Sequence, residues 1–169
     1  MRVTIREFRP ADFDELWNLD QACFEPGISY SQVELRHYLR SRGAFTLVAC
    51  EEATLGAAAP GPDRIFGFVI GQKGPRNRCH IITIDVSETA RRTGVGSSLM
   101  NAAEERFRCA GCEGIYLEVA VNNTKALAFY KRHGFTVLKT IPRYYPNGVD
   151  AFVMGKLLSG SASEAARPR

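Results

Sequence analysis

Glu118 and Tyr130 stand twelve residues apart in a chain of 169. One is a carboxylate that can take a proton, the other a phenol that can give one. Upstream of them the run Arg91-Arg92-Thr93-Gly94-Val95-Gly96 places two glycines one residue apart, with Ser97 and Ser98 following directly. Small residues at that position leave main-chain N–H groups free to face an anion. The pair reads as proton-transfer chemistry and the glycine turn as a pyrophosphate cradle. No Gly-Lys-Ser or Gly-Lys-Thr follows the glycines, which disfavours a nucleoside-triphosphate loop. A dinucleotide fold would need a third glycine and a later acidic residue, so a dehydrogenase is disfavoured too.

The elements that must hold these residues follow from hydrophobic period. Ile81 to Val86 is a strand by its β-branched content, and the glycine turn follows it. Val95, Leu99, Ala103 and Phe107 then step by four, so a helix lays one apolar stripe on the sheet and aims its N-terminus at the turn. Ile115, Leu117, Val119 and Val121 alternate with Tyr116, Glu118 and Ala120, which puts Glu118 on the face opposite the aliphatic row. A shorter helix from about residue 125 to 133 carries Tyr130 and ends at Gly134, suited to a left-handed C-terminal position.

The rest of the chain frames that centre. Val3, Ile5 and Phe8 open as a strand, and a helix begins near Pro10-Ala11-Asp12. Ser31 with Glu34 forms a capping box for a second helix, leaving Phe24 to Tyr30 as the loop between the two. Phe45 to Cys50 and Ile65 to Ile70 read as a hairpin with a long Gly-, Ala- and Pro-rich tip. Phe135 to Ile141 and Ala151 to Leu158 are the last strands, joined across Pro142 to Gly148. The expected organisation is one unit over residues 1–158 and a disordered tail over 159–169.

With 45% apolar and 24% charged residues the chain can fill one substantial core. A start that alternates like a strand and the lack of a long apolar run point to a cytoplasmic protein with no membrane partner. The five cysteines are odd in number and scattered through apolar surroundings, which predicts reduced core thiols. Cys109 and Cys112 have the spacing of half a zinc site, but no second pair follows, and no metal is expected. A net charge of +4 favours phosphate-bearing ligands or acidic surfaces without demanding nucleic acid.

Each candidate also has a plain structural reading. Glu118 could pair with one of the arginines, and Tyr130, beside Leu127 and Phe129, could be core with its hydroxyl capped. His80 and Asp85 are the runners-up for a base, but His80 near a strand start reads as an edge residue and Asp85 beside the turn as structural. His37 and His133 read as solvated helix positions.

Val86, Arg91, Gly94 and Gly96 resemble the acetyl-CoA signature of the GNAT superfamily, and Leu117-Glu118-Val119 through Gly134-Phe135 resembles its second motif. The likeness spans roughly Val3 to Leu158. Leu117-Glu118-Val119, then Asn123, Ala126 and Tyr130, then Arg143-Tyr144-Tyr145-Pro146 are most similar to RimI-type protein N-terminal acetyltransferases, which act on a ribosomal protein. The resemblance implies an α/β GNAT fold with three αβα layers: a mixed sheet of about seven strands, two parallel neighbours splayed, and about four helices. It implies acetyl-CoA as cosubstrate, held by backbone groups of Ile84 and Val86 and by amides from Arg91 through Arg92, Gly94, Val95 and Gly96 to Ser97, with Asn123 and Tyr130 near the thioester. Glu118 becomes the general base, through a water, and Tyr130 the general acid. Phe24, Tyr30, Tyr144 and Tyr145 become the walls of the acceptor site, or plain loop anchors.

The family carries a proline where this chain has Ser87-Glu88, so the bulge that exposes strand backbone must form without it. The RimI pattern has Arg and Ser where this chain has Ala120 and Asn122. The implied acceptor is a protein N-terminus, with lysine side chains, a polyamine or an aminoglycoside as alternatives. A non-catalytic CoA-binding module is the alternative of another class, and a monomer or homodimer suits either.

Overall fold

The computed structural model describes residues 3–51 and 63–158. The tip of the early hairpin and the tail after Leu158 lie outside the described residues. Eleven principal elements follow in order: β1 Val3–Glu7, α1 Phe13–Cys23, α2 Gln32–Arg40, β2 Ala44–Glu51, β3 Arg64–Lys73, β4 Arg78–Val86, α3 Val95–Cys109, β5 Gly114–Ala120, α4 Thr124–Arg132, β6 Thr136–Ile141 and β7 Ala151–Leu157. The strands form a seven-stranded sheet in the order β1-β2-β3-β4-β5-β7-β6. Neighbours are antiparallel except β4 and β5.

Local signals set the helix ends. Ser31 Oγ accepts from the Glu34 amide at 3.2 Å while Glu34 Oε2 accepts from the Ser31 amide at 2.8 Å, the reciprocal box that starts α2. The Ser31 hydroxyl also donates to Glu34 Oε2 at 2.7 Å, and that bond, then the one from the Ser31 amide, holds the Glu34 carboxyl below its ordinary pKa. The predicted first helix begins as a short 3-10 turn over Pro10–Asp12 before α1 proper, because proline fits an opening turn where its missing N–H costs nothing.

Two apolar clusters cover the sheet unequally. On one face Leu99, Met100, Ala103 and Phe107 of α3 join Tyr130 of α4 against Val69, Ile115, Leu117, Val119 and Met154. On the other, Leu16 of α1 and Leu35 of α2 pack on Val48, Cys50, Phe68 and Ile70. The second layer therefore stands on β2 and β3, with Ile82 of β4 at its margin.

The parallel pair carries the functional consequence. β4 and β5 pair only from Arg78 with Gly114 to His80 with Tyr116, and beyond that point the strands run on to Val86 and Ala120 without a ladder between them. On its other side β4 slips register against β3 between Ile70 and Gly71, which leaves Ile82 as the extra residue. The bulge thus forms without the proline.

One sequence expectation is corrected. Cys79 and Cys112 form a disulfide, their Cα atoms 6.2 Å apart across 33 residues. Cys23, Cys50 and Cys109 are free. Cys79 is the second residue of β4, Cys112 precedes β5, and the parallel pairing that sets Cys79 beside Ile115 brings the two sulfurs together. Sequence spacing does not show a register of that kind.

Candidate active site

Glu118 lies on β5 just beyond the last rung of the parallel ladder, and its Oε2 accepts a 2.6 Å hydrogen bond from Nε2 of His80. Its partner is a histidine and not one of the arginines that the plain structural reading allowed. His80 and Tyr116 are register partners, and their rings stack 4.4 Å apart and 4° from parallel, which fixes the imidazole plane. The side chains of His80 and Glu118 keep 22% and 17% of their exposure, so water still reaches the pair. A base that works through a water needs that access.

Tyr130 is buried at 8% exposure and makes no hydrogen bond through its hydroxyl among the described residues. Burial first, then the charge of Asp85, drives its pKa well above the ordinary phenol value, which keeps it in the O–H form. Asn123 is the N-cap of α4, its Oδ1 accepting from the Ala126 amide at 3.1 Å, and so fixes the start of the helix that carries Tyr130.

At the glycine turn the chain presents a row of donors. The Arg91 amide is spent on Glu88 O at 3.3 Å, so the row does not begin there as the sequence suggested. Ser98 N is the next internal donor, to Gly94 O at 2.9 Å, and between the two the N–H groups of residues 92–97 meet no backbone carbonyl among the described residues. Gly94 holds φ 94° and nothing lies near its missing Cβ, whereas a Cβ on Gly96 would sit 3.3 Å from Phe129. Arg92 also takes a left-handed φ of 65°. Ser97 Oγ and His133 Nε2 share a 3.0 Å hydrogen bond, so His133 is a packed member of this end of α3 and not a solvated position. Partial burial lowers its pKa.

A family model described as Acetyltransferase (GNAT) family matches residues 13–135. The chain belongs to the GNAT acetyltransferase family. An N-alpha-acetyltransferase of Sulfurisphaera tokodaii is 28% identical over 153 residues, covering 89% of this chain and 90% of that one. The crystal structure of Ard1 from Thermoplasma volcanium superposes with a TM-score of 0.81 at 28% identity, over 95% of this chain and all of that one. The ribosomal-protein-S18-alanine N-acetyltransferase of Escherichia coli shares the fold with a TM-score of 0.77 at 20% identity, over 98% of this chain and 100% of that one.

This GNAT protein is therefore an acetyl-CoA-dependent N-acetyltransferase, and its residues suit that cosubstrate. Six free amides at a helix N-terminus match a pyrophosphate, and the unpaired stretch of β4 and β5 leaves strand backbone open beside them. Val86 O accepts from Arg91 Nε at 3.1 Å and from the Cys23 thiol at 3.4 Å. Ile84 is held against Val69 of β3. Among the described residues no helix is long and apolar enough to cross a membrane.

The aromatic residues singled out in the loops differ in how they are held. Tyr30 is held tightly: its hydroxyl donates to Ile82 O at 3.4 Å, its amide donates to Asp20 Oδ2 at 2.7 Å, and its carbonyl accepts from Trp17 and Gln21. Tyr144 and Tyr145 meet edge to face with ring centres 4.9 Å apart. Burial, then the charge of Glu118, pushes Tyr144 up to about 12, which places the two in one electrostatic neighbourhood. Phe24 is half-buried and caps the C-terminal end of α1.

Two buried carboxyls behind the site were not singled out as a pair in the sequence. Asp85 accepts from Thr83 Oγ1 at 2.6 Å and has its other oxygen unpartnered, as Asp20 has its Oδ1. Burial raises both, Asp20 to about 6. Unfolded, Asp20 ionises near 3.8, so between the two values the folded chain holds the extra proton and stability falls as pH rises. Asp20→Asn keeps the acceptor for Tyr30 and removes the charge. It is expected to gain stability by about 2–3 kcal/mol at pH 8 and nothing below pH ~4, read from urea unfolding across that range. Parallel curves for variant and parent would show that Asp20 ionises normally in the fold.

Proposed function

We propose that this enzyme acetylates the α-amino group of a polypeptide N-terminus, with Glu118 as the general base and Tyr130 as the general acid. The observation that carries the reading is the His80–Glu118 pair at the point where β4 and β5 part, both side chains still reached by water; Tyr130 is buried on α4 and keeps its proton. Glu118 takes a proton from the incoming ammonium through a water, which leaves a nitrogen lone pair to attack the thioester carbon. As the carbon–sulfur bond breaks, the thiolate takes the Tyr130 proton, while the surplus proton on the attacking nitrogen leaves to water to give the neutral amide and the phenolate regains its proton from water. His80 holds the carboxylate by donating to Oε2, and the stack on Tyr116 holds His80. The N-alpha-acetyltransferase relative supports the α-amine as acceptor.

The test is CoA release with peptides of varied first residue, alongside free lysine and polyamines. Peptides with a free N-terminus are expected to turn over and the same peptides with a blocked N-terminus are not. Preference for Ala or Ser first would extend the reading to a ribosomal-protein acceptor. Turnover confined to lysine or polyamines would overturn it.

A further inference from the structure

The layer of α1 and α2 leaves the same face of β5, β7 and β6 bare. On that bare face runs a groove of about 830 Å³ that begins at Glu118 and passes Tyr116, Val153, Gly155 and Leu138 toward Arg78. Leu138 and Leu157 are 63% and 85% exposed there, so the floor is apolar and open. At the far end Arg76 and Arg78 line the groove, and neither makes an ion pair or side-chain hydrogen bond among the described residues. Lys139 stands on the near flank, since Lys139 and Glu118 both pair with Val153. Glu113 is the acidic group at the far end.

The geometry points to this groove as the bed for the acceptor chain behind its N-terminus, selecting an acidic residue four to five positions in. The inference rests on the proposed reading that Glu118 receives the α-amine. From Glu118 back to Gly114 is four strand residues, about 13 Å at roughly 3.3 Å each. An extended acceptor advances at the same rate, so its fourth or fifth side chain comes level with Gly114, whose register partner is Arg78. The floor takes apolar or small side chains before that point, and the uncommitted guanidinium groups meet a carboxylate at it. Continuity with the reactive pair and the charge at the far end favour an acceptor chain over a second copy of this protein.

The experiment uses the full chain with acetyl-CoA and octapeptides that share their first three residues and carry Asp, Ala or Lys at positions four and five. Asp peptides are expected to exceed Lys peptides by about tenfold in kcat/KM through KM, as two exposed ion pairs allow, with the gap shrinking at high salt. In the Arg76→Glu, Arg78→Glu double variant the ratio of Asp to Lys peptides is expected to invert. Both residues are exposed, so a thermal melt is expected to match the parent. Equal KM values for the three peptides, or a ratio untouched by the double variant, would overturn the groove assignment and leave N-terminal acetylation standing. So would a stable dimer by sedimentation that dissociates on Leu138→Glu. Failure of every peptide to release CoA would sink the α-amine reading itself, and the groove assignment with it.

Discussion

Glu118→Gln lowers kcat by about a hundredfold or more, the range that a positioned general base supplies, while acetyl-CoA binding by calorimetry stays within about twofold because the amide cradle is untouched. The substitution keeps the shape of the side chain and its place beside His80 but removes the basic oxygen. The first competing explanation is that Glu118 exists to fix His80, with the imidazole as the base. Glu118 Oε2 and His80 Nε2 are 2.6 Å apart, so the two form one unit and their losses cannot add. His80→Gln in the Glu118→Gln background is expected to cost nothing further, whereas two independent contributors would multiply. The order of the single variants then assigns the base: the greater loss belongs to the group that meets the water. Unchanged turnover in Glu118→Gln with a peptide acceptor would remove the carboxylate from the mechanism.

What could be seen in the sequence was whatever is encoded locally. The period of two along β5 set Glu118 apart from Ile115, Leu117 and Val119, and the strand does bury those three while leaving Glu118 half-exposed. The Ser31-Glu34 box and the fourfold stripe of α3 are likewise short-range, and both stand as expected. The contacts that were missed all cross between elements. His80 reaches Glu118 because a parallel ladder sets it opposite Tyr116, and Cys79 reaches Cys112 through the same ladder. Alternation on the fourth strand alone could not tell His80 from an edge residue, since its neighbour across the gap comes 36 residues later by the His80–Tyr116 pairing. Ser97 with His133 needs α4 to close over α3, and no period within either helix states that. Tyr30, weighed as either acceptor wall or anchor, is tied down by four partners that lie on α1 and the bulge of β4.

Gly96→Val should raise the dissociation constant for acetyl-CoA by about a hundredfold, the equivalent of ~3 kcal/mol or two lost amide–phosphate bonds. The reason is space and not backbone freedom. Gly96 lies in the first turn of α3, and a Cβ there would meet the Phe129 ring edge at 3.3 Å and Val86 Cγ2 at 3.5 Å. The two methyls of valine reach further than that Cβ, so α3 must back away from α4 and β4, and the amides of residues 92–97 lose their common aim. Gly94 differs in kind. Nothing lies within 4 Å of its missing Cβ, but its φ of 94° is a conformation that side chains resist. Gly94→Ala therefore costs about 1 kcal/mol of stability and alters binding only as far as the turn relaxes. Leu99, Met100, Ala103 and Phe107 anchor α3 from its second turn onward, so the Gly96 variant stays folded and the loss falls on the ligand. Equal acetyl-CoA affinities for parent and Gly96→Val by calorimetry would mean that the pyrophosphate is gripped elsewhere.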